Sequence, residues 1–148
     1  MTAREHVFFV PGKPATAGSK RAFAHRHTGK IIVVDDCKSG KAWRKAVQHA
    51  ASVEVRSPLV GPLALCVDFW LPRPLSHRKK DGSKALGAPE YHLTKPDATK
   101  LLRAVEDAMT GIVWLDDAQV VHQVVRKAYA DGTQRIGAHV KVFEWGPR

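Results

Sequence analysis

Residues 95–121, KPDATKLLRAVEDAMTGIVWLDDAQVV, decide the fold, because a helix and the start of a strand follow each other there. Pro96 and Asp97 predict the helix start, since proline suits the first turn and Asp is a common N-cap. Gly111 ends the helix after about Thr110. At about 100° per residue, one broad side is apolar and is expected to face the core: Leu101, Leu102, Ala104, Val105, Ala108 and Met109.

The other side of this helix and the following turn carry a concentration of acids. The chain has 14 acidic residues against 24 basic ones, yet five of the acids fall within 97–117. Taken singly, each has an ordinary explanation as an N-cap, a helix-surface ion pair or a turn residue. Together they indicate a divalent metal site, because carboxylates repel phosphate unless a cation lies between them. These acids are Asp97, Glu106, Asp107, Asp116 and Asp117.

The segments before this stretch alternate between strands and a helix. Residues 6–10 (HVFFV) and 31–34 (IIVV) predict short strands, and residues 63–71 (LALCVDFWL) predict a buried one. A helix is predicted over about 38–55, because apolar residues recur there at helical spacing: Ala42, Trp43, Ala46, Val47, Ala50 and Val53.

The remaining segments are predicted as two loops and a hairpin. Residues 11–30 form a basic loop, and residues 73–92 form a polar loop that is flexible by composition. Residues 118–128 and 136–145 flank DGTQ, which predicts a β-hairpin. The order β-β-α-β-α-β-β predicts an α/β (α+β) fold. A single domain over 1–148 would hold a mixed sheet packed by two helices.

The charge of the chain favours a polyanionic partner. A formal net charge of +10 in 148 residues is the electrostatic footprint of nucleic-acid binding. A merely soluble basic domain is the plain alternative, and a membrane surface is disfavoured because no long apolar run is present. Cys37 and Cys66 lack zinc spacing, and the N-terminal apolar stretch is too short for a signal peptide. We therefore expect a cytoplasmic protein.

The acidic stretch resembles the signature of the RusA family of Holliday-junction resolvases, roughly P-D-x-D-[NK]-L-x-[KR]-x-x-x-D-A-L followed by D-D-x-Q-V. The N-terminal VPGKPATAGSKRAF and the basic helix containing Lys41, Ala42 and Trp43 also resemble members of the family. The similarity spans about residues 6–144. The matching residues of the signature are Pro96, Asp97, Lys100, Leu101, Arg103, Asp107, Ala108, Asp116, Asp117, Gln119 and Val120.

The resemblance implies a homodimeric nuclease that cuts four-way DNA junctions symmetrically with Mg²⁺, for which Mn²⁺ would substitute. No nucleotide cofactor is expected. Asp97 and Asp117 would be catalytic and metal-binding, and Asp116 would be a neighbouring acid of open role. Arg103 stands at the basic position. It cannot act as a general base, but it can stabilise charge on the phosphate.

The sequence departs from the pattern at Thr99, where the family has a second Asp. Glu106 is our candidate substitute, as both a catalytic and a metal-binding acid. It lies two turns along the helix and about 20° from Thr99. The rival interpretation is a degenerate site in a protein that binds branched DNA without cutting it. A third is a Mg²⁺ nuclease for flaps, forks or RNA.

Basic residues in three segments and beside Asp97 are candidates for phosphate contacts. The valines of the predicted tail strands, Val120, Val121, Val124 and Val125, are expected mostly in the core, with a dimer interface as the alternative. The candidate DNA-binding residues are Lys20, Arg21, Lys41, Arg44, Lys45, Arg78, Lys79, Lys80 and Lys100.

Overall fold

A computed structural model describes residues 4–17, 20–35 and 38–147. Short 3₁₀ turns occupy Leu75–His77 and Asp117–Gln119. The main elements, in chain order, are β1 (Glu5–Pro11), β2 (Lys20–Ala24), β3 (Ile31–Asp35), α1 (Lys38–Glu54), β4 (Leu63–Leu71), α2 (Ala98–Met109), β5 (Val120–Tyr129) and β6 (Gly137–Glu144).

The main sheet is built around β4, the most continuously apolar strand. β4 pairs with β6 in antiparallel and with β5 in parallel orientation, which gives a four-stranded sheet in the order β1-β6-β4-β5. An apolar strand suits this interior position because both of its edges are covered. The predicted mixed sheet with two helices, an α+β fold, is confirmed.

The predicted hairpin between the last two strands is wrong. β4 lies between β5 and β6, so the two strands do not pair with each other. The connection between them passes the end of β4, where the Ala130 amide donates to the Leu71 carbonyl at 2.8 Å. Turn residues such as DGTQ indicate where the chain reverses, but they do not specify that the reversed strands are adjacent.

The predicted loop over 11–30 contains a strand that sequence reasoning missed. β2 pairs with β3 in antiparallel orientation and forms a separate two-stranded sheet. The His25 amide donates to the Lys30 carbonyl at 2.7 Å in the turn between them. The predicted strand over 31–34 exists, but its partner is this basic segment and not the main sheet.

The core lies between the helices and one face of the main sheet. The six predicted apolar residues of α2 are all buried, and α1 contributes Trp43, Val47 and Ala51. Ala42 and Val53 are exposed, however, because they lie beside the buried stripe and not within it. In the described ranges, neither helix is long and apolar enough to cross a membrane.

The loop over 73–92 is anchored by a buried arginine. Arg73 donates to both carboxylate oxygens of Asp131, at 3.0 and 2.7 Å, and its guanidinium lies 4.1 Å from the centre of the Tyr129 ring. The hydrogen bond from Arg73 lowers the pKa of Asp131 below its ordinary value. These contacts tie the loop to the end of β5, which its polar composition does not reveal.

Gly137 allows β1 to approach β6 closely. A Cβ atom there would collide with the Val10 carbonyl and lie 2.6 Å from the Phe9 ring. We predict that Gly137→Ala lowers the free energy of unfolding by about 2 kcal/mol, since overpacking typically costs 1–3 kcal/mol. Gly146→Ala is the matched control, because nothing lies within 4 Å of its Cβ position. Equal urea midpoints for both variants and the parent would contradict the close approach.

Candidate functional site

Asp97 occupies the N-cap position of α2 without performing the usual capping role. Its carbonyl accepts the first helical hydrogen bond, from the Leu101 amide at 3.0 Å. Its carboxylate makes no capping hydrogen bond and is exposed. The nearest charged partner is Lys100, with 3.9 Å between Nζ and Oδ2. The ordinary explanation of this acid as an N-cap therefore does not hold for its side chain.

A pocket of about 130 Å³ surrounds Asp97. It is lined by Thr16, Lys95, Pro96, Asp97 and Lys100. One acid beside two lysines is an arrangement suited to a phosphate group approached by a cation.

A second pocket, of about 90 Å³, lies between the two helices. Ala17 lines this pocket and Thr16 lines the first, so one loop borders both. A Cβ atom on Gly40 would lie 2.7 Å from the Thr16 carbonyl, so the missing side chain lets this loop pack against α1. Lys41 and Arg44, which line the second pocket, therefore lie across the residue 16–17 loop from the pocket of Asp97.

At the other end of α2, Asp116 has a structural role. Its carboxylate accepts from the Ala118 amide at 2.9 Å, while the Gln119 side chain accepts from the Asp116 amide at 3.2 Å. This reciprocal capping box starts the 3₁₀ turn. Gln119 also donates to the Leu59 and Gly61 carbonyls, at 3.1 Å each. Asp117 is left exposed immediately after the cap.

Glu106 and Asp117 form a pair of acids that interact electrostatically. Partial burial raises the pKa of Glu106, a hydrogen bond from Gln123 of β5 opposes this shift, and the negative charge of Asp117 adds to it. Arg103, exposed one turn earlier on α2, lowers the same pKa slightly. The two acids form a local pair whose charges repel, which is the condition that a bound cation would relieve.

Asp97 is not part of this pair. It stands nine residues before Glu106, a rise of about 13 Å along a helix. Thr99 is exposed near the Asp97 end. Among the described residues, no three His, Cys, Asp or Glu side chains are grouped so that they could hold a metal ion together. The predicted group of Asp97, Asp117 and Glu106 around one ion is therefore not formed within one chain.

The candidate DNA-binding residues divide by exposure. Lys41, Arg44 and Lys45 project from α1, and Lys79 and Lys80 are also exposed. Arg78 is partly buried; its guanidinium donates to the Gly82 carbonyl at 3.0 Å and lies 4.0 Å from an Asp131 carboxylate oxygen. Lys20 and Arg21 belong to β2, but their side chains lie outside the described part of the structure.

Sequence reasoning missed Lys127 of β5. Its ammonium donates to the Thr94 carbonyl at 2.8 Å and to the Pro96 carbonyl at 3.0 Å. It therefore contacts the backbone directly before Asp97. A lysine on the inward face of a strand was the available signal, but periodicity does not tell which backbone it would reach.

A comparison with protein families now adds to this geometry. The model described as Endodeoxyribonuclease RusA matches residues 11–141. The chain belongs to the RusA family. The matched region includes both pockets, the acidic helix and β5, so the recognition from the signature is confirmed.

This RusA-family chain is also similar to a curated relative, the "Uncharacterized protein YqaN" of Bacillus subtilis (strain 168). The two are 32% identical over 127 residues, which cover 84% of this chain and 87% of the relative. The likeness therefore extends through most of the chain and is not limited to the signature.

The raised pKa of Glu106 predicts a pH-dependent stability. A group with a raised pKa contributes its full stabilisation while it is protonated, at pH values below its ordinary pKa of 4.5. This stabilisation is lost as the pH rises through the higher pKa that Glu106 has in the folded protein. We predict that Glu106→Gln, which stays neutral, gains stability over the parent between pH 4 and pH 7. Urea unfolding at both pH values measures this, with the exposed Glu90→Gln as control. A difference independent of pH would contradict it.

Proposed function

We propose that this protein is a Mg²⁺-dependent endodeoxyribonuclease that resolves four-way (Holliday) junctions by paired symmetric nicks in the cytoplasm. Membership of the RusA family supports nuclease chemistry on branched DNA. The observation that carries the proposal is the exposed carboxylate of Asp97. It projects at a helix start, makes no capping bond and shares a pocket with Lys95 and Lys100.

The proposed metal site is completed by a second copy of the chain. β5 is an edge strand of the main sheet, and an unpaired edge is a template for another strand. Val121 is 57% and Val124 50% exposed on it, contrary to the expectation that these valines lie in the core. Pairing of two β5 edges in antiparallel orientation would cover both valines and create a C₂ homodimer.

The register of this pairing decides which acids meet. If the two-fold axis passed near His122, position 117 of one subunit would lie opposite position 127 of the other. Lys127 contacts the Pro96 carbonyl, directly before Asp97. Asp97 of one subunit and Asp117 of the partner would then hold the ion. Glu106 of the partner accompanies that Asp117, because the two lie together within each chain.

The proposed chemistry requires few further groups. Mg²⁺ retains several waters, so two or three carboxylates are enough to bind it, and it supplies polarisation of the scissile phosphate. Arg103 would stabilise the developing charge. Lys41 and Arg44, beside the Asp97 pocket, would bind the phosphates of a junction arm. The branched DNA would thus extend from α1 across the start of α2.

Thr99 keeps one alternative open, a junction-binding protein with little or no cleavage. A gel with labelled four-way junction, linear duplex and single strand separates the two functions, each with Mg²⁺ and with EDTA. Paired nicks on the junction that require Mg²⁺ support the proposal. Tight binding without nicks supports the alternative, and better cutting of another substrate indicates a different nuclease.

We predict that Asp97→Asn and Asp117→Asn each abolish nicking while junction affinity stays within about twofold, because each removes a metal ligand and not a phosphate contact. A 1:1 mixture of the two variants should recover about a quarter of the parental nicking rate. Half of the dimers would be mixed, and each mixed dimer would carry one intact composite site. The mixed dimers, which have one intact site each, should nick only one strand of the junction.

The control for this experiment is Asp68→Asn, on the opposite face of the sheet, where Asp68 accepts from Arg126 at 3.1 Å. It should nick as the parent does. A mixture as inactive as the two single variants would show that each site belongs to one subunit. Loss of junction binding in both single variants would show that the two acids support the fold or the DNA contact and not the reaction.

Junction binding should depend steeply on salt because phosphate contacts release counterions. We predict that Lys41→Ala and Arg44→Ala each reduce the slope of log K against log[salt] by about 0.9, the value for one phosphate contact on duplex DNA. The control is Lys141→Ala, whose ammonium pairs with Glu5 at 2.9 Å on the face away from the helices. Unchanged slopes in both variants would place the DNA elsewhere.

A further inference from the structure

Lys127 makes an unusual contact with the start of α2. Its ammonium lies between two main-chain carbonyls, those of Thr94 and Pro96, at 2.8 and 3.0 Å. Within the described ranges, no backbone amide donates to either carbonyl. The Thr94 carbonyl is exposed, but the Pro96 carbonyl is partly buried. A partly buried acceptor without an amide partner is costly, so the lysine satisfies a need at Pro96 that the local backbone does not meet.

This contact fixes the turn before α2, although it does not cap the helix, because the ammonium binds carbonyls and not the first amides. Helix starts leave four amide groups without partners, and an Asp at the N-cap normally accepts from one of them. Asp97 does not do so. The turn before α2 is instead fixed from outside, by a side chain of β5. The carboxylate of Asp97, which caps no amide, therefore stays available to the pocket.

Lys100, the cation closest to the Asp97 carboxylate, cannot perform this task. Lys100 is separated from the carboxylate by 3.9 Å, and both side chains are more than half exposed. Surface ion pairs of this kind contribute little, because solvent screens them and both side chains lose conformational freedom. Lys127, by contrast, is half-buried and makes two hydrogen bonds of ordinary length.

The strand that carries Lys127 is itself held in place. Tyr129, two residues further along β5, is buried beneath the Arg73 guanidinium, which also binds Asp131. The end of β5 is therefore fixed to the 73–92 loop, and Lys127 transmits this fixed position to residues 94–96.

We propose that Lys127 is a positioning residue, which anchors the backbone before α2 so that the Asp97 carboxylate points into the pocket at the helix start. The inference rests on the proposed function for the role of Asp97 in cleavage. The anchoring itself does not depend on that function, so it can be measured separately.

The experiment compares Lys127→Met, which keeps the aliphatic stem, with Lys127→Arg, which can still donate to both carbonyls. Lys141→Met is the matched control, since it removes an ammonium from the same sheet that binds Glu5 instead. Amide hydrogen exchange in the first turn of α2 reports anchoring. Single-turnover nicking over a range of Mg²⁺ concentrations, junction affinity and the unfolding midpoint complete the measurements.

For Lys127→Met we expect the Leu101 amide to exchange about tenfold faster or more, while amides in α1 stay unchanged. Nicking should slow by about 10- to 100-fold and need more Mg²⁺, the usual effect of removing a group that orients a metal ligand. Junction affinity should stay within about twofold, since no phosphate contact is lost. Lys127→Arg should recover most of the rate, and Lys141→Met should match the parent.

Parental exchange and parental nicking in Lys127→Met would overturn the proposal. So would a loss that Lys127→Arg does not restore and that follows the unfolding midpoint alone. If Lys127→Met does not fold, Lys127→Gln decides the matter, because its uncharged amide can donate to one carbonyl and should give an intermediate exchange rate. If the parent itself does not nick, the proposed function fails, and the exchange data alone confirm or overturn the anchoring.

Discussion

The attachment of α2 along β5 is the constraint on which the arrangement of the site depends. Near the start of the helix, Lys127 binds the carbonyls that precede Asp97. Near its end, Gln123 donates to Glu106. The helix and the strand thus run in opposite directions and are joined at both ends. Asp97 and Asp117 consequently lie at opposite ends of one rigid unit, and no side-chain rotation within a subunit can bring them together.

The electrostatics of the surface follow from the same arrangement. The chain carries a net charge of +10, and its acids are concentrated on α2 and the turn after it. One of these acids is occupied locally, since Asp116 caps the 3₁₀ turn. Asp97 and Asp117 are exposed without such a role. Acids that stay free on a basic surface are the ones best placed for a cation shared with DNA.

The sequence predicts the parts of this fold that depend on local chemistry. The two helices appear where apolar spacing, Pro96, Asp97 and Gly111 predict them, because propensity and amphipathic spacing act within a few turns. Pairing between distant strands is not local, so the insertion of β4 between β5 and β6 could not be read from the turn DGTQ. The acids of the candidate site were found from their residue types. The structure showed that Asp97 lies at one end of α2 and that Glu106 and Asp117 lie towards the other, with β5 attached beside the helix.

The substitution at Thr99 gains a different meaning from this geometry. Within one chain, Glu106 cannot replace a missing acid near Asp97, because about 13 Å of helix lies between them. In the proposed dimer the obstacle disappears. Asp117 and Glu106 interact electrostatically in each subunit, so an edge pairing that carried Asp117 to the partner's pocket would bring Glu106 towards it as well. An exposed edge strand with two uncovered valines would otherwise be a liability for a single copy of the chain. The proposed contact that would cover those valines would therefore also supply the carboxylates that each subunit lacks.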